Sequence, residues 1–386
     1  MTIVAVELVR VRLPLRRSLV SAHGTESVRE VVLVRVVDED GAEGWGECSA
    51  LEAPTYTGEY TDGAWAVLRD YLVPALLAYE EGGPFPRRVV GHPMAEAALS
   101  TAQLDLSLRS GGLSMVATLA AMVGTRTGAG GGLHWTAVLG VPVDPAPGVT
   151  AREADAAVAA GADAFKLKIR PSAGCEAAVA ALIDAFPDHP VAVDANGSFW
   201  NERGQLPAIA AMLASSGSAR PDQPGTAPRR YVEQPLPADD LLGHADLARL
   251  LAVPIALDES IDGAGSLATA AHLDAGDLIN LKPARVGGIS VALDLFADEE
   301  RQPAAFLGGM LETGVGRATA LAVGVVLGLD ATDLGPSDWY FDDDITEPIE
   351  LGADGLMHPP EGPGIGVTPR ADRLAQVAVD RLLIRP

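Results

Sequence analysis

Lysine is nearly missing from this chain. Of 386 residues, 28 are basic, and only Lys166, Lys168 and Lys282 are lysines; the others are arginines. Arginine keeps its proton at any pH an enzyme meets, whereas burial or a nearby cation can bring a lysine to release its own. The three lysines are therefore either survivors of an arginine-rich codon bias or places where a side chain must gain and lose a proton, in acid/base or Schiff-base chemistry. Other absences narrow the field. The two cysteines, Cys48 and Cys175, form no CxxC pair, which excludes a disulfide framework and fits a reducing compartment. A formal charge of −24 without a basic patch argues against nucleic acid as a partner. No apolar run is long enough to span a bilayer, and "MTIVAVELVRVRLPL" alternates like a strand rather than a signal peptide. No membrane partner and a cytoplasmic location are expected. The seven histidines lack the spacing of HExxH, which argues against zinc.

What is present is long enough for a barrel with an added domain. Residues 1–50 read as three alternating strands, with a polar, mobile loop expected at "RRSLVSAHGTESV". Residues 60–125 read as helices, and the glycine-rich 124–132 reads as a linker. From 133 onward short apolar strands alternate with Ala-rich helical stretches: "LHWTAVLG", "AFKLKI", "VAVDA", "RYVEQ", "PIALD", "LINLK", "AAFLGG". Seven or eight such units in about 200 residues predict a parallel β/α barrel, with a doubly wound open sheet as the competing architecture. The polar stretch 215–230 reads as an inserted surface loop, on the far side of the barrel from the site. Expected boundaries are 1–125 for an α+β capping domain, 126–334 for the barrel, and 335–386 for a turn-rich segment packing back on the capping domain. The "DDD" at 342–344 reads as a solvated turn. "GVGRATA" (314–320) reads as a glycine-rich turn and helix N-terminus able to hold an anionic group.

The charged residues fall in a pattern. Lys166 and Lys168 close "AFKLK" and, two apart, share a side of the strand. Asp194, Glu233 and Asp258 close the next three strands, and Lys282 closes the one after. Strand C-termini meet at one mouth of a β/α barrel, where active sites form. Any one of these acids could be a helix N-cap. Together, three carboxylates on adjacent strands make a hard oxygen set suited to Mg²⁺, flanked by lysines.

At this point the chain resembles a family. "KLKI", "VDANGSF", "VEQPL", "LDES", "NLKPARVGG" and "GGMLETGVGRA" are similar to the successive barrel motifs of the enolase superfamily. The similarity is to its muconate lactonizing enzyme subgroup, in the o-succinylbenzoate synthase / N-succinylamino acid racemase family. "GWGEC" and "DITEP" extend the resemblance over nearly the whole chain. It implies an α/β fold: a modified (β/α)8, or (β/α)7β, barrel whose α+β N-terminal capping domain is completed by the C-terminal segment. It implies that Asp194, Glu233 and Asp258 hold Mg²⁺, with Mn²⁺ as a substitute. It implies that Lys168 and Lys282 are acid/base lysines on opposite faces of the substrate, and that Lys166 supports the carboxylate or the partner lysine. Asn196 and Glu259 match polar residues beside the metal, Arg285 an arginine after the second lysine, Gly309, Met310 and Glu312 a substrate-lining loop, and residues 18–26 a mobile lid. Val138 and Leu139 depart from a small polar residue that relatives often carry near the substrate.

The expected partner is a small carboxylate bearing a succinyl group, and the expected assembly a homo-oligomer. The activity implied first is dehydration of 2-succinyl-6-hydroxy-2,4-cyclohexadiene-1-carboxylate to o-succinylbenzoate, a step toward menaquinone. N-succinylamino acid racemisation, alone or alongside it, is the rival; dipeptide epimerisation and muconate cycloisomerisation stand behind these. A Schiff-base aldolase and a non-catalytic barrel are the readings from other classes. The metal-assisted reading predicts that a chelator abolishes activity and that borohydride with substrate does not; a Schiff-base enzyme gives the reverse in the same two assays.

Overall fold

The computed structural model describes residues 2–78, 89–123, 131–142, 148–172, 174–217, 227–297 and 304–386. Residues 124–130 of the linker and 218–226 of the insertion lie outside them. The chain begins with a long antiparallel ribbon, β1 (Ile3–Ser21) against β2 (Gly24–Asp38), continued by β3 (Glu43–Cys48). Both faces of β1 carry buried side chains: Val6 and Leu8 on one, Val9, Val11 and Leu13 on the other, which also carries Glu7, paired with Arg35 of β2 at 2.8 Å. The Val6 and Leu8 face packs on the helix Pro93–Ser110, and the Val9 to Leu13 face joins the core of the barrel. A Cβ on Gly46 would lie 2.0 Å from the Ala98 carbonyl oxygen, so only glycine permits this close approach of helix and sheet.

The expected barrel is present. Eight parallel strands follow in ring order: β4 (Leu133–Leu139), β5 (Ala164–Lys168), β6 (Val191–Asp194), β7 (Val232–Glu233), β8 (Ile255–Leu257), β9 (Leu278–Leu281), β10 (Ala304–Leu307) and β11 (Ala331–Thr332). Pairing of β11 with β4 closes the ring. Most strand residues are buried, as in a sheet covered on both faces. The last strand is followed directly by the four-residue helix Ser337–Tyr340, so the eighth unit lacks a full helix and the form is (β/α)7β.

The C-terminal segment divides its attachments. β12 (Leu356–Met357) adds antiparallel to β4 of the barrel, and β13 (Ala378–Ile384) adds to β1, completing the capping sheet. Two expectations need correction here. The stretch expected as a polar, mobile loop is strand: residues 18–26 form the tip of the β1–β2 hairpin, with Ser21 facing Gly24 across the turn. The "DDD" is not wholly solvated. Asp344 is buried and accepts hydrogen bonds from the Gly314 and Ile345 amides and the Ser337 hydroxyl.

Capping domain and barrel are joined by Glu47 of β3. Its carboxylate accepts from the Thr313 amide (3.1 Å), the Thr313 hydroxyl (2.5 Å) and the Gly316 amide (2.9 Å), at the N-terminus of the helix Gly314–Val326. The anion expected at "GVGRATA" is therefore a side chain of the chain itself. Burial pushes the Glu47 carboxyl up to about 7, with Glu312 adding and the Thr313 and Gly316 bonds and Arg29 opposing. A carboxyl raised on folding takes up a proton, so its contribution is complete below the unfolded value of 4.5 and is lost as pH rises through 7. Glu47→Gln removes that dependence. Between about pH 5 and pH 8 the stability of the variant relative to wild type is expected to rise by on the order of 3 kcal/mol, read from urea midpoints. A difference that stays constant across this range refutes the assignment.

Candidate active site

The register of the parallel strands brings the charged residues together. Lys168 on β5 faces Asp194 on β6, which faces Glu233 on β7, each as direct neighbours in the ladder. Asp258 follows β8 and Lys282 follows β9. In an eight-strand ring, β5 and β9 are four strands apart, so Lys168 and Lys282 approach the mouth from opposite sides with the three acids between them.

Each acid meets a cation. Lys168 Nζ donates to Asp194 Oδ2 at 2.7 Å and to Asn196 Oδ1 at 3.0 Å. Lys282 Nζ donates to Asp258 Oδ2 at 2.8 Å and to the Tyr56 hydroxyl at 3.0 Å. Lys166 is fully enclosed and divides its ammonium between Glu233 Oε2, at 2.7 Å, and Asp333 Oδ2. Glu233 Oε1 accepts from Asn280 Nδ2 at 2.7 Å.

The electrostatics follow from this sharing. Burial would raise Asp258, but Lys282 and Arg285 outweigh it and hold the carboxyl below its ordinary range. Asp194 is likewise held low by Lys168 and Lys166 against burial. Glu233 goes the other way, to about 8: burial raises it, and Asp194, Asp258 and Asp333 add to that against the single Lys166. Asp333 is also raised by burial. One lysine between two buried acids leaves negative charge under-compensated on this side of the mouth.

The cavity above these residues is lined at its base by all three lysines, Asp194, Glu233, Asn280 and Asp333. Its walls include Val138, Gly309 and Leu311, and residues of the β1–β2 hairpin and the helix Ser337–Tyr340 close it from above. Other expected residues stand elsewhere. Arg285 does not line this cavity: it is buried, bonded to Asp258 Oδ1, the Tyr56 hydroxyl and the carbonyls of Asn280 and Ile261. Met310 packs into the capping-domain core. Glu312 is buried beside Glu47 in a second, smaller cavity, with Oε2 unpartnered. Glu259 reaches the site only through Asn196, whose Nδ2 donates to Oε1 at 3.1 Å, and contacts His23 at 3.2 Å.

Three residues at this mouth carry no role in the sequence reading. Asp333 follows the short β11, and the rule of a charged residue ending a strand would have found it had "ATDLG" been read as a strand. Asn280 stands within "NLK", one register position from visibility. Its side chain occupies the space where a Cβ on Gly308 would lie, 1.7 Å from Oδ1. Tyr56 comes from the capping domain, and no local pattern marks it.

Backbone strain gathers at the same place. Asn196 (φ +43°), Gln234 (φ +37°) and Leu311 (φ +57°) all adopt left-handed conformations next to the mouth. Gln234 is buried and links two strand ends: Oε1 accepts from the Asp258 amide at 2.8 Å, and Nε2 donates to Leu236 O at 3.0 Å and to Ser260 Oγ at 2.7 Å.

Comparison with known proteins agrees with this geometry. Residues 3–119 match the mandelate racemase / muconate lactonizing enzyme N-terminal domain, and residues 149–373 match the enolase C-terminal domain-like family. The chain belongs to the enolase superfamily. Within it, kinship lies with the o-succinylbenzoate synthase / N-succinylamino acid racemase group. The chain is 37% identical to an N-succinylamino acid racemase of Amycolatopsis over 100% of both chains. It is 34% identical to an o-succinylbenzoate synthase of Geobacillus stearothermophilus over 92% of this chain and 90% of the other. A solved structure described as a probable mandelate racemase from Alicyclobacillus acidocaldarius is 34% identical, with a TM-score of 0.81 over 100% of this chain and 99% of that one.

Gln234→Leu leaves the Asp258 amide without its acceptor, and a cost of about 2 kcal/mol in stability is expected from the buried unsatisfied group. A variant with the wild-type urea midpoint would show that Gln234 does not hold the Asp258 strand end.

Proposed function

We propose that this enzyme removes the proton alpha to a substrate carboxylate and dehydrates 2-succinyl-6-hydroxy-2,4-cyclohexadiene-1-carboxylate to o-succinylbenzoate. The observation that carries the reading is the placement of Lys168 and Lys282 on opposed strands across one cavity, with three carboxylates between them. Asp194, Glu233 and Asp258 would hold Mg²⁺, with Mn²⁺ as a substitute. Their hard oxygen donors suit such an ion, and the under-compensated charge around Glu233 and Asp333 is what a divalent cation would neutralise. Among the described residues no three of these side chains are gathered as a ready cage, because their oxygens are turned onto lysine and arginine. When bound, the ion supplies charge stabilisation to the carboxylate whose alpha proton is lost.

The remaining work falls to this chain. Lys168 takes the alpha proton and returns it to the departing hydroxyl. Lys282 stays protonated and stabilises the enolate from the opposite face. Lys166 keeps Glu233 and Asp333 in place: its ammonium is raised well above the ordinary range, burial opposing and the two acids prevailing. Enclosed and bonded to two acids, it acts as a positioning residue rather than a base. Asn196 orients the Lys168 ammonium, and Arg285 and Tyr56 fix Asp258.

Racemisation of N-succinylamino acids is the second reading. The same placement serves it equally, because each lysine would act as base for one enantiomer, and the Amycolatopsis relative is named for that activity.

Dehydration followed by absorbance, and entry of solvent deuterium at the alpha carbon of an N-succinylamino acid, separate the two readings. Lys168→Ala is expected to lower the dehydration rate by roughly 10²–10⁴-fold. Fast dehydration with slow exchange supports the synthase, the reverse the racemase. An active Lys168→Ala enzyme removes the lysine assignment.

A further inference from the structure

The base of the cavity is a closed set of charges, in which each lysine is bonded to an acid. Arg17 lines the same cavity. Carried on the β1 arm, it lies with its guanidinium carbon 4.1 Å from the centre of the Trp339 ring, and Nη1 donates to the Trp339 carbonyl at 3.2 Å. These two contacts fix the plane of the guanidinium. Among the described residues no carboxylate forms an ion pair with it. Glu153, on the helix Gly148–Ala159, lines the same cavity and feels the charge of Arg17, but no bond joins them. Leu15, Leu19, Val138 and Leu311 add apolar lining. A ligand whose reacting carboxylate sits among the lysines thus shares a partly apolar cavity with one oriented cation that has donors to spare.

We propose that Arg17 binds the carboxylate at the far end of the substrate's acyl chain and so selects chains that end in an anion. This rests on the function proposed above and adds the residue that recognises the distal group. Neighbouring Arg16 cannot share the task, because its Nη1 donates to the Asp338 carbonyl at 2.9 Å and its Nε faces Asp342 on the outer surface. Glu153 works against binding of an anion, so its removal should strengthen recognition.

The test uses the full-length, Mg²⁺-loaded enzyme and two pairs of equal carbon chain length: N-succinyl and N-butyryl amino acids for turnover, and o-succinylbenzoate and o-butyrylbenzoate for calorimetric binding. Each pair differs only in the distal carboxylate. Wild type is expected to favour the succinyl member by at least about tenfold in both kcat/KM and Kd, as a charge-assisted bond implies. Arg17→Met keeps the stem over Trp339. It should bring both ratios to within about twofold by weakening only the succinyl member. Glu153→Gln should widen them. Equal weakening of both members by Arg17→Met, or unchanged ratios, overturns the proposal. A wild type that handles both members of each pair equally well overturns it while leaving the function intact. A wild type that neither binds nor turns over the succinyl compounds removes the functional reading, and the role of Arg17 with it.

Discussion

Charge burial is the constraint on which the rest of this molecule depends. Asp194, Glu233, Asp258 and Asp333 are all withdrawn from water at one barrel mouth. An isolated carboxylate there would simply protonate. Lys168, Lys282 and Arg285 keep Asp194 and Asp258 ionic, Lys166 sits between Glu233 and Asp333, Asn280 and Tyr56 donate to Glu233 and Asp258, and Gln234 accepts from the Asp258 amide. A buried ion pair contributes little net stability, but losing one partner is costly. The cluster is therefore a poor way to stabilise a barrel and a good way to hold reactive groups in one arrangement. Lys168 and Lys282 are bonded to the same carboxylates that would hold an ion, so their freedom and the ligation of those acids are linked.

Most of the mouth was legible because parallel strands translate order into space. Lys168, Asp194, Glu233, Asp258 and Lys282 each end a short apolar run, and the ladder brings ends of successive runs together. What escaped did so for physical reasons. Arg285 lies three residues beyond Lys282, on a short helix that turns its side chain back beneath Asp258, where no strand periodicity applies. Met310 and Glu312 flank a left-handed Leu311, which breaks the alternation expected of an extended loop. Tyr56 reaches the site from a separate domain, 202 residues from Asp258 along the chain.

The union of the two domains follows the logic of a helix terminus. The amides that open Gly314–Val326 need acceptors, and Glu47 and Asp344 supply them from the capping sheet and the C-terminal segment. Glu59 does the same for Pro93–Ser110, accepting from the Met94 and Ala95 amides. "GVGRA" therefore looks like an anion-binding loop because it is one, already occupied from within. Composition alone cannot distinguish an internal anion from a ligand.

The β1–β2 arm runs without a break from the capping sheet to the barrel mouth. There Val20 accepts from the Val141 amide, and its tip reaches Glu259 through His23. On the reading proposed above, the lysines at the strand ends and Arg17 on the β1 arm thus belong to different stretches of chain, anchored in different domains. Such a division makes the enzyme modular. The hairpin can drift in sequence, or be exchanged for that of a relative, while the proton-transfer apparatus stays untouched, so new substrates become reachable by small steps that do not first dismantle the catalyst.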